Sequence, residues 1–233
     1  MSHKAAVAAL SALTAEHAGT FRVSDLTKCA VTPKQVGSLR AAGVVERLHP
    51  GVYRLTAVPA SNEQRLRAAL LWAGDDAVAA GRSAAELYRL EEVSAPLPEI
   101  VVPIGRRAQS ASIRVHHVRD YGALMRRTMR GIPVTGIETT LVALAHSLEP
   151  EAFEVACEDA RRRRLASVPA IRAYLTRWGN RGKPGVTATR ALLGELDPVH
   201  ASHSTLEVKT RRLLVAHGVT GFVREFPLDW NGR

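Results

Sequence analysis

The sequence predicts an α+β protein that begins with a winged helix-turn-helix. Within residues 1–57, three helical patterns are followed by two short strand patterns joined by a tight turn. From residue 58 to about 200, helical stretches mix irregularly with short apolar strands, the signature of a mixed α/β unit. The chain has 233 residues and is 46% apolar, enough for more than one core.

The first helical pattern carries Val7, Leu10 and Leu13 at helical spacing and stops at His17-Ala18-Gly19. "FRV" is a short strand, and Ser24 caps a brief second helix over residues 25–30. Thr32 opens the third helix. It is a capping residue, Pro33 suits the first turn, and Gln35 stands three residues on, as a capping box requires. Gly43 ends this helix, and "VVERL" and "GVYRL" form a hairpin about His49-Pro50-Gly51.

"VPASN" reads as the linker to the second unit. Capping-box pairs Ser61/Gln64, Ser83/Glu86 and Thr135/Glu138 predict three helix starts, and "EIVVPI", "SIRVHHV" and "GIPV" predict strands. Further helices are expected from residue 151 to about 163 and from 171 to 178, before a Gly/Pro-rich connection, "GNRGKPG". "STLEVKTRRLLVAHG" predicts an amphipathic helix with Leu206, Leu213 and Leu214 inward, and "FVREFPLDWNGR" a strand. Residues 201–233 are therefore expected to be the incomplete, truncated start of a third domain.

Lys and Arg exceed Asp and Glu by 32 to 22, a net charge of +10, which favours a polyanionic partner. Residues 1–60 alone hold seven Lys/Arg (4, 22, 28, 34, 40, 47, 54) against three acids (16, 25, 46). The expected partner is double-stranded DNA, read by the helix at 33–42 from the major groove. With Val36 and Leu39 inward, Lys34, Gln35, Ser38 and Arg40 lie on the exposed side, and Gly37 permits close approach. Gln pairs with adenine and Arg with guanine, while Lys and Ser more often hold phosphates. The hairpin adds Arg47, His49 and Arg54 as backbone or minor-groove contacts.

Two cysteines, Cys29 and Cys157, have neither metal-site nor disulfide spacing, so a cytoplasmic setting is expected. No apolar run approaches the ~20 residues of a spanning helix, and no membrane partner is expected. No cofactor, metal site or catalytic residue is expected. Adjacent strand residues His116 and His117 point to opposite faces, so they are poorly placed to share an ion. Arg161, Arg162, Arg163 and Arg164 fall at a helix end, where cations suit the dipole and solvent, and they could also widen a DNA footprint. Ser204 and Glu207 form a further capping box.

"FRVSDLTKCAVTPKQVGSLRAAGVVERLHPGVYRL", "GRSAAELYRL" and "RGIPVTGIETTLVALA" together resemble the AbiEi-type antitoxin and transcriptional-regulator family of actinobacteria. "EVACEDARRRRLASVPAIRAYL", "KPGVTATRALLGELDP" and "STLEVKTRRLLVAHG" are similar to members carrying a very-short-patch-repair-like endonuclease domain, a restriction-endonuclease-like fold. The resemblance implies a winged helix that binds inverted repeats in its own promoter and represses its operon. It also implies an antitoxin-like domain over residues 58–200 that counters a nucleotidyltransferase toxin in a type IV toxin–antitoxin system. Of the nuclease acids, only Glu207 has a match, and the rest would lie beyond Arg233. Phosphodiester hydrolysis needs clustered acids around its metal. The chain is therefore expected to be catalytically silent, the alternative being an endonuclease in a longer protein.

Overall fold

The computed structural model describes residues 2–179, 183–196, 201–219 and 221, and the protein is mixed α+β. Helix α1 (His3–Thr14) is capped by the Ser2 hydroxyl, which accepts from the Ala5 amide. Strand β1 (Thr20–Arg22), a 3-10 turn (Val23–Lys28), helix α2 (Pro33–Ala41) and strands β2 (Val45–His49) and β3 (Val52–Leu55) follow. α2 starts with the capping box its sequence encodes: the Thr32 amide donates to the Gln35 carboxamide at 2.9 Å, and the Gln35 amide to the Thr32 hydroxyl.

The three strands form an antiparallel sheet in the order β1-β3-β2, with Phe21 opposite Tyr53 and Arg47 opposite Tyr53 on the other side. Phe21, Val45 and Leu55 close over Leu10, Leu26, Val36 and Leu39 in a small hydrophobic core. Each such side chain contributes ~1.5–3 kcal/mol on full burial.

The rest of the chain builds a second, larger core. Helix α3 (Asn62–Ala73) leads to strand β4 (Val78–Ala79), helix α4 (Gly81–Tyr88), strands β5 (Glu99–Pro103) and β6 (Arg114–Val118), and a hairpin of β7 (Arg126–Met129) and β8 (Ile132–Thr135). Helices α5 (Ile137–Ser147), α6 (Pro150–Arg162), α7 (Val168–Trp178), α8 (Val186–Glu195) and α9 (Thr205–Ala216) complete the described elements. The five strands order as β6-β5-β4-β8-β7, with β5/β6 and β4/β8 parallel and the other pairs antiparallel.

α3 serves both cores. Leu66, Ala69, Leu70 and Ala73 join the larger one. Gln64, Ala68 and Trp72, at i, i+4 and i+8, form a neighbouring stripe, of which Trp72 also packs on the larger core. Gln64 bonds Ala18 and Arg54, Ala68 is fully buried, and the Trp72 ring meets His49. The three-stranded sheet is thus covered on one face by its own core and on the other by α3.

Several expectations are corrected. α4 starts at Gly81, two residues before the expected Ser83 cap. The Ser83 hydroxyl instead accepts from the Glu99 amide, and Glu86 accepts from Asn62 and the Ala95 amide. Thr135 belongs to β8, where its hydroxyl meets that of Thr140 at 2.8 Å, and Gly136 is the N-cap of α5. The arginine cluster does end a helix, but three of its members are bound by the protein: Arg161 pairs with buried Glu158, Arg162 with Asp159 and Glu91, and Arg163 with Asp159, while Arg164 is exposed.

α9 turns the opposite face inward from the one expected. Leu206 and Leu213 are 72% and 61% exposed, whereas Val208 is fully buried. The reason is charge. Glu154 on α6 is buried and pairs with both Arg211 and Arg212, and Lys209 meets Glu92 at 2.9 Å, so the basic side of α9 must face α6. The strand expected in "FVREFPLDWNGR" falls on residues 222–233, outside the described residues. No described helix is long and apolar enough to cross a membrane.

Candidate nucleic-acid interface

α2 presents its surface by simple geometry. At 100° per residue, the buried Val36 and Leu39 define one side, and Lys34, Gly37, Ser38 and Ala41 lie opposite them, all exposed. Gln35 and Arg40 flank this strip. Nothing lies within 4 Å of a side chain added at Gly37, so the backbone there is open to close approach by a large partner.

The seven residues expected to contact DNA separate into two groups. Lys34, Ser38, Arg40 and Arg47 are exposed. The Ser38 hydroxyl donates back to the Lys34 carbonyl at 3.3 Å, a bond that leaves it on the surface. Arg40 and Arg47 line a shallow notch between the end of α2 and β2, together with Gly43 and Thr56. The Thr56 hydroxyl donates to the Gly43 carbonyl at 2.8 Å and fixes the turn that sets this spacing.

Gln35, His49 and Arg54 are engaged by the protein itself. The Gln35 carboxamide oxygen accepts the Thr32 amide and hydroxyl, so its geometry is set by the cap. The His49 ring lies 5.8 Å from that of Trp72, and burial holds its pKa below the ordinary value. Arg54, 18% exposed, is paired with Glu46 at 2.8 Å and donates to the Val58 carbonyl and to Gln64. These two hairpin residues face α3, which the hairpin pattern alone could not show. Ala41 is the exposed member of the α2 strip that side-chain chemistry did not single out; helical phase alone identifies it.

Charge follows the same division. Asp25 takes Lys28 and Arg22, Asp75 also takes Arg22, and Glu46 takes Arg54. Burial alone would raise the Asp25 pKa, but hydrogen bonds from Lys28 and the Arg22 amide outweigh it and hold the carboxyl below its ordinary range. Among the described residues, Lys34, Arg40 and Arg47 form no ion pair. They are the cations of this surface available to a polyanion. No group of three or more His, Cys, Asp or Glu side chains among the described residues could hold a metal ion. His116 bonds Glu99, and His117 bonds the Arg106 carbonyl.

Residues 9–56 match a family model described as transcriptional regulator, AbiEi antitoxin. No curated protein matches the chain. Among solved structures, the RV2827C protein from Mycobacterium tuberculosis is similar, with a TM-score of 0.55 and 18% identity over 86% of this chain and 78% of that one. At that identity the likeness is one of fold.

Proposed function

We propose that the chain is a sequence-specific DNA-binding transcriptional regulator of AbiEi antitoxin type. In this reading residues 1–57 are a winged helix-turn-helix, α2 enters the major groove, and the β2–β3 hairpin is the wing. The observation that carries it is the exposed Lys34–Gly37–Ser38–Ala41 strip beside Arg40 and Arg47, which form no ion pair among the described residues. The family match over residues 9–56 covers this same segment.

Roles follow from chemistry. Arg40 reads guanine, Lys34, Ser38 and Arg47 hold phosphates, and Gly37 and Ala41 let the backbone close on the groove. Gln35 acts as the helix cap, its carboxamide oxygen holding the Thr32 amide and hydroxyl. His49 and Arg54 hold the wing to α3. Residues 58–200 are the antitoxin-like unit that would meet a nucleotidyltransferase toxin, and the setting is cytoplasmic. The chain acts by binding, not by catalysis. In a nuclease reading Glu207 would be the leading acid, but its carboxylate accepts the His203 amide at the start of α9, as a helix-capping acid does.

The test is fluorescence anisotropy on the inverted repeats upstream of its gene and on random duplex. Preference for the repeats, lost in Arg40→Ala, is expected. Equal affinity for both duplexes in the native protein would defeat the reading. Growth rescue on co-expression with a neighbouring nucleotidyltransferase tests the antitoxin role separately.

A further inference from the structure

Helix α9 docks through its charged side and leaves an apolar side outward. Thr205 bonds Glu91, Lys209 pairs with Glu92, and Arg211 and Arg212 pair with buried Glu154, with Val208 fully buried among them. At 100° per residue, Leu206, Thr210 and Leu213 fall within ~60° of one another on the side opposite Val208. All three are exposed. Among the described residues, eight large apolar side chains are strongly exposed, and four of them, Leu206, Leu213, Val215 and Val219, lie in this one stretch. Apolar side chains exposed singly are ordinary, whereas a run of them on one element marks a surface that something covers.

The chain turns back at the end of α9. The Val219 amide donates to the Leu214 carbonyl at 2.9 Å and the Gly218 amide to the Val215 carbonyl at 3.0 Å, with Gly218 at a φ of +76°. Such a glycine-terminated turn brings the following residue, Val219, back towards the last turn of the helix, where Leu213 and Leu214 stand. Gly221, at a φ of +78°, is a second left-handed position before residue 222.

Residues 222–233 lie outside the described residues, but their sequence fits that surface. In "FVREFPLDWNGR" the apolar Phe222, Phe226, Leu228 and Trp230 all stand at even positions, and Glu225, Asp229 and Asn231 at odd ones. In an extended chain this alternation puts the four apolar side chains on one face. The reach is sufficient. Leu206 and Leu213 are ~10 Å apart along the helix axis, the span of three to four extended residues. A segment tethered this close meets the stripe at an effective concentration on the order of millimolar, which favours it over a separate partner.

We propose that residues 222–233 fold back along the outer side of α9, with Phe226, Leu228 and Trp230 against Leu206 and Leu213. α9 is then a middle layer, its charged side held by α6 and its apolar side by this segment. The docking is independent of the DNA-binding reading, since no residue of α2 or of the β2–β3 hairpin takes part.

NMR on the methyl-labelled full chain tests it. NOEs from the Leu206 and Leu213 methyls to the Phe226 and Trp230 rings are expected, and isotope filtering of a mixed labelled and unlabelled sample should place them within one chain. Trp230→Ala should shift both methyls, while those of Leu141 and Leu144 in the larger core stay unmoved. In Leu213→Ala, or in a chain shortened to residues 1–221, α9 amides should exchange about tenfold faster as the apolar contact is lost. Three results would overturn the proposal: no NOE between residues 222–233 and either leucine, NOEs that arise only between separate chains, or α9 exchange in the shortened chain equal to that of the native protein. The NOE measurement needs no variant, so misfolding of the shortened chain leaves it intact.

Discussion

Arg54 on the central strand β3 donates through its guanidinium to the Gln64 side-chain oxygen on α3 at 3.2 Å, and Gln64 passes a second hydrogen bond to the Ala18 carbonyl at 2.7 Å. One buried amide therefore ties α3 to both the sheet and the approach to β1. Gln64→Ala should destabilise the protein by about 2 kcal/mol, because the Arg54 and Ala18 partners stay buried without it. Paired with Arg54→Ala in a double-mutant cycle by urea denaturation, it should show a coupling of about 1 kcal/mol. Strict additivity would mean that the bond contributes nothing.

Arg40, Arg47 and Lys34 have no ion pair to lose, and Arg47 gives up only an exposed 3.3 Å hydrogen bond to the His49 carbonyl, so each alanine variant should stay close to native stability. Each should lower the slope of log affinity against log salt by about 0.9 if it neutralises one phosphate. Anisotropy titrations at several salt concentrations measure this. An unchanged slope in all three variants would remove α2 and β2 from the interface.

Gly37→Ala separates folding from binding. Helix propensity favours alanine by ~1 kcal/mol, and the site is open, so thermal stability should rise. If α2 enters the major groove as proposed, the added methyl would stand where the backbone meets the groove, so operator affinity should fall. A variant that gains both stability and affinity would place the partner elsewhere.

The His49–Trp72 contact predicts a pH dependence with a defined sign. Burial lowers the His49 pKa from its ordinary 6.5. The unfolded chain then binds the proton more readily, so the contribution is fully present above pH 6.5 and is lost as pH falls towards the folded-state value. Stability measured from pH 7.5 to 5 should drop less steeply in His49→Phe than in the native protein. Parallel curves would show that His49 is not the group responsible.

α9 is held by charge more than by apolar burial. Glu154→Gln keeps an acceptor but leaves Arg211 and Arg212 without their carboxylate, at a cost of about 3 kcal/mol. Hydrogen exchange should show α9 amides losing protection while those of α5 keep theirs. Equal loss in both helices would indicate a single cooperative unit.

Local signals in the sequence were legible where chemistry is local. The Thr32/Gln35, Ser61/Gln64 and Ser204/Glu207 pairs mark helix starts because each cap depends on residues three apart. Ser83/Glu86 has the same spacing yet marks none, because distant Glu99, Asn62 and Ala95 claim both side chains. β4 carries only two residues within "DDAVAA" and has no alternation to detect. The exposed strip of α2 followed from helical phase, but the inward turn of His49 and Arg54 depends on α3, which periodicity cannot dock.

The two-residue strand β4 has a consequence for synthesis. Its Ala79 is the one residue that registers with β8, through Val134, and so joins the two halves of the sheet. A ribosome delivering ~5–20 residues per second must expose β4 and β5 for several seconds before β8 emerges. During translation the nascent chain thus carries an unpaired inner edge, an opening that chaperones or a second nascent copy could occupy first.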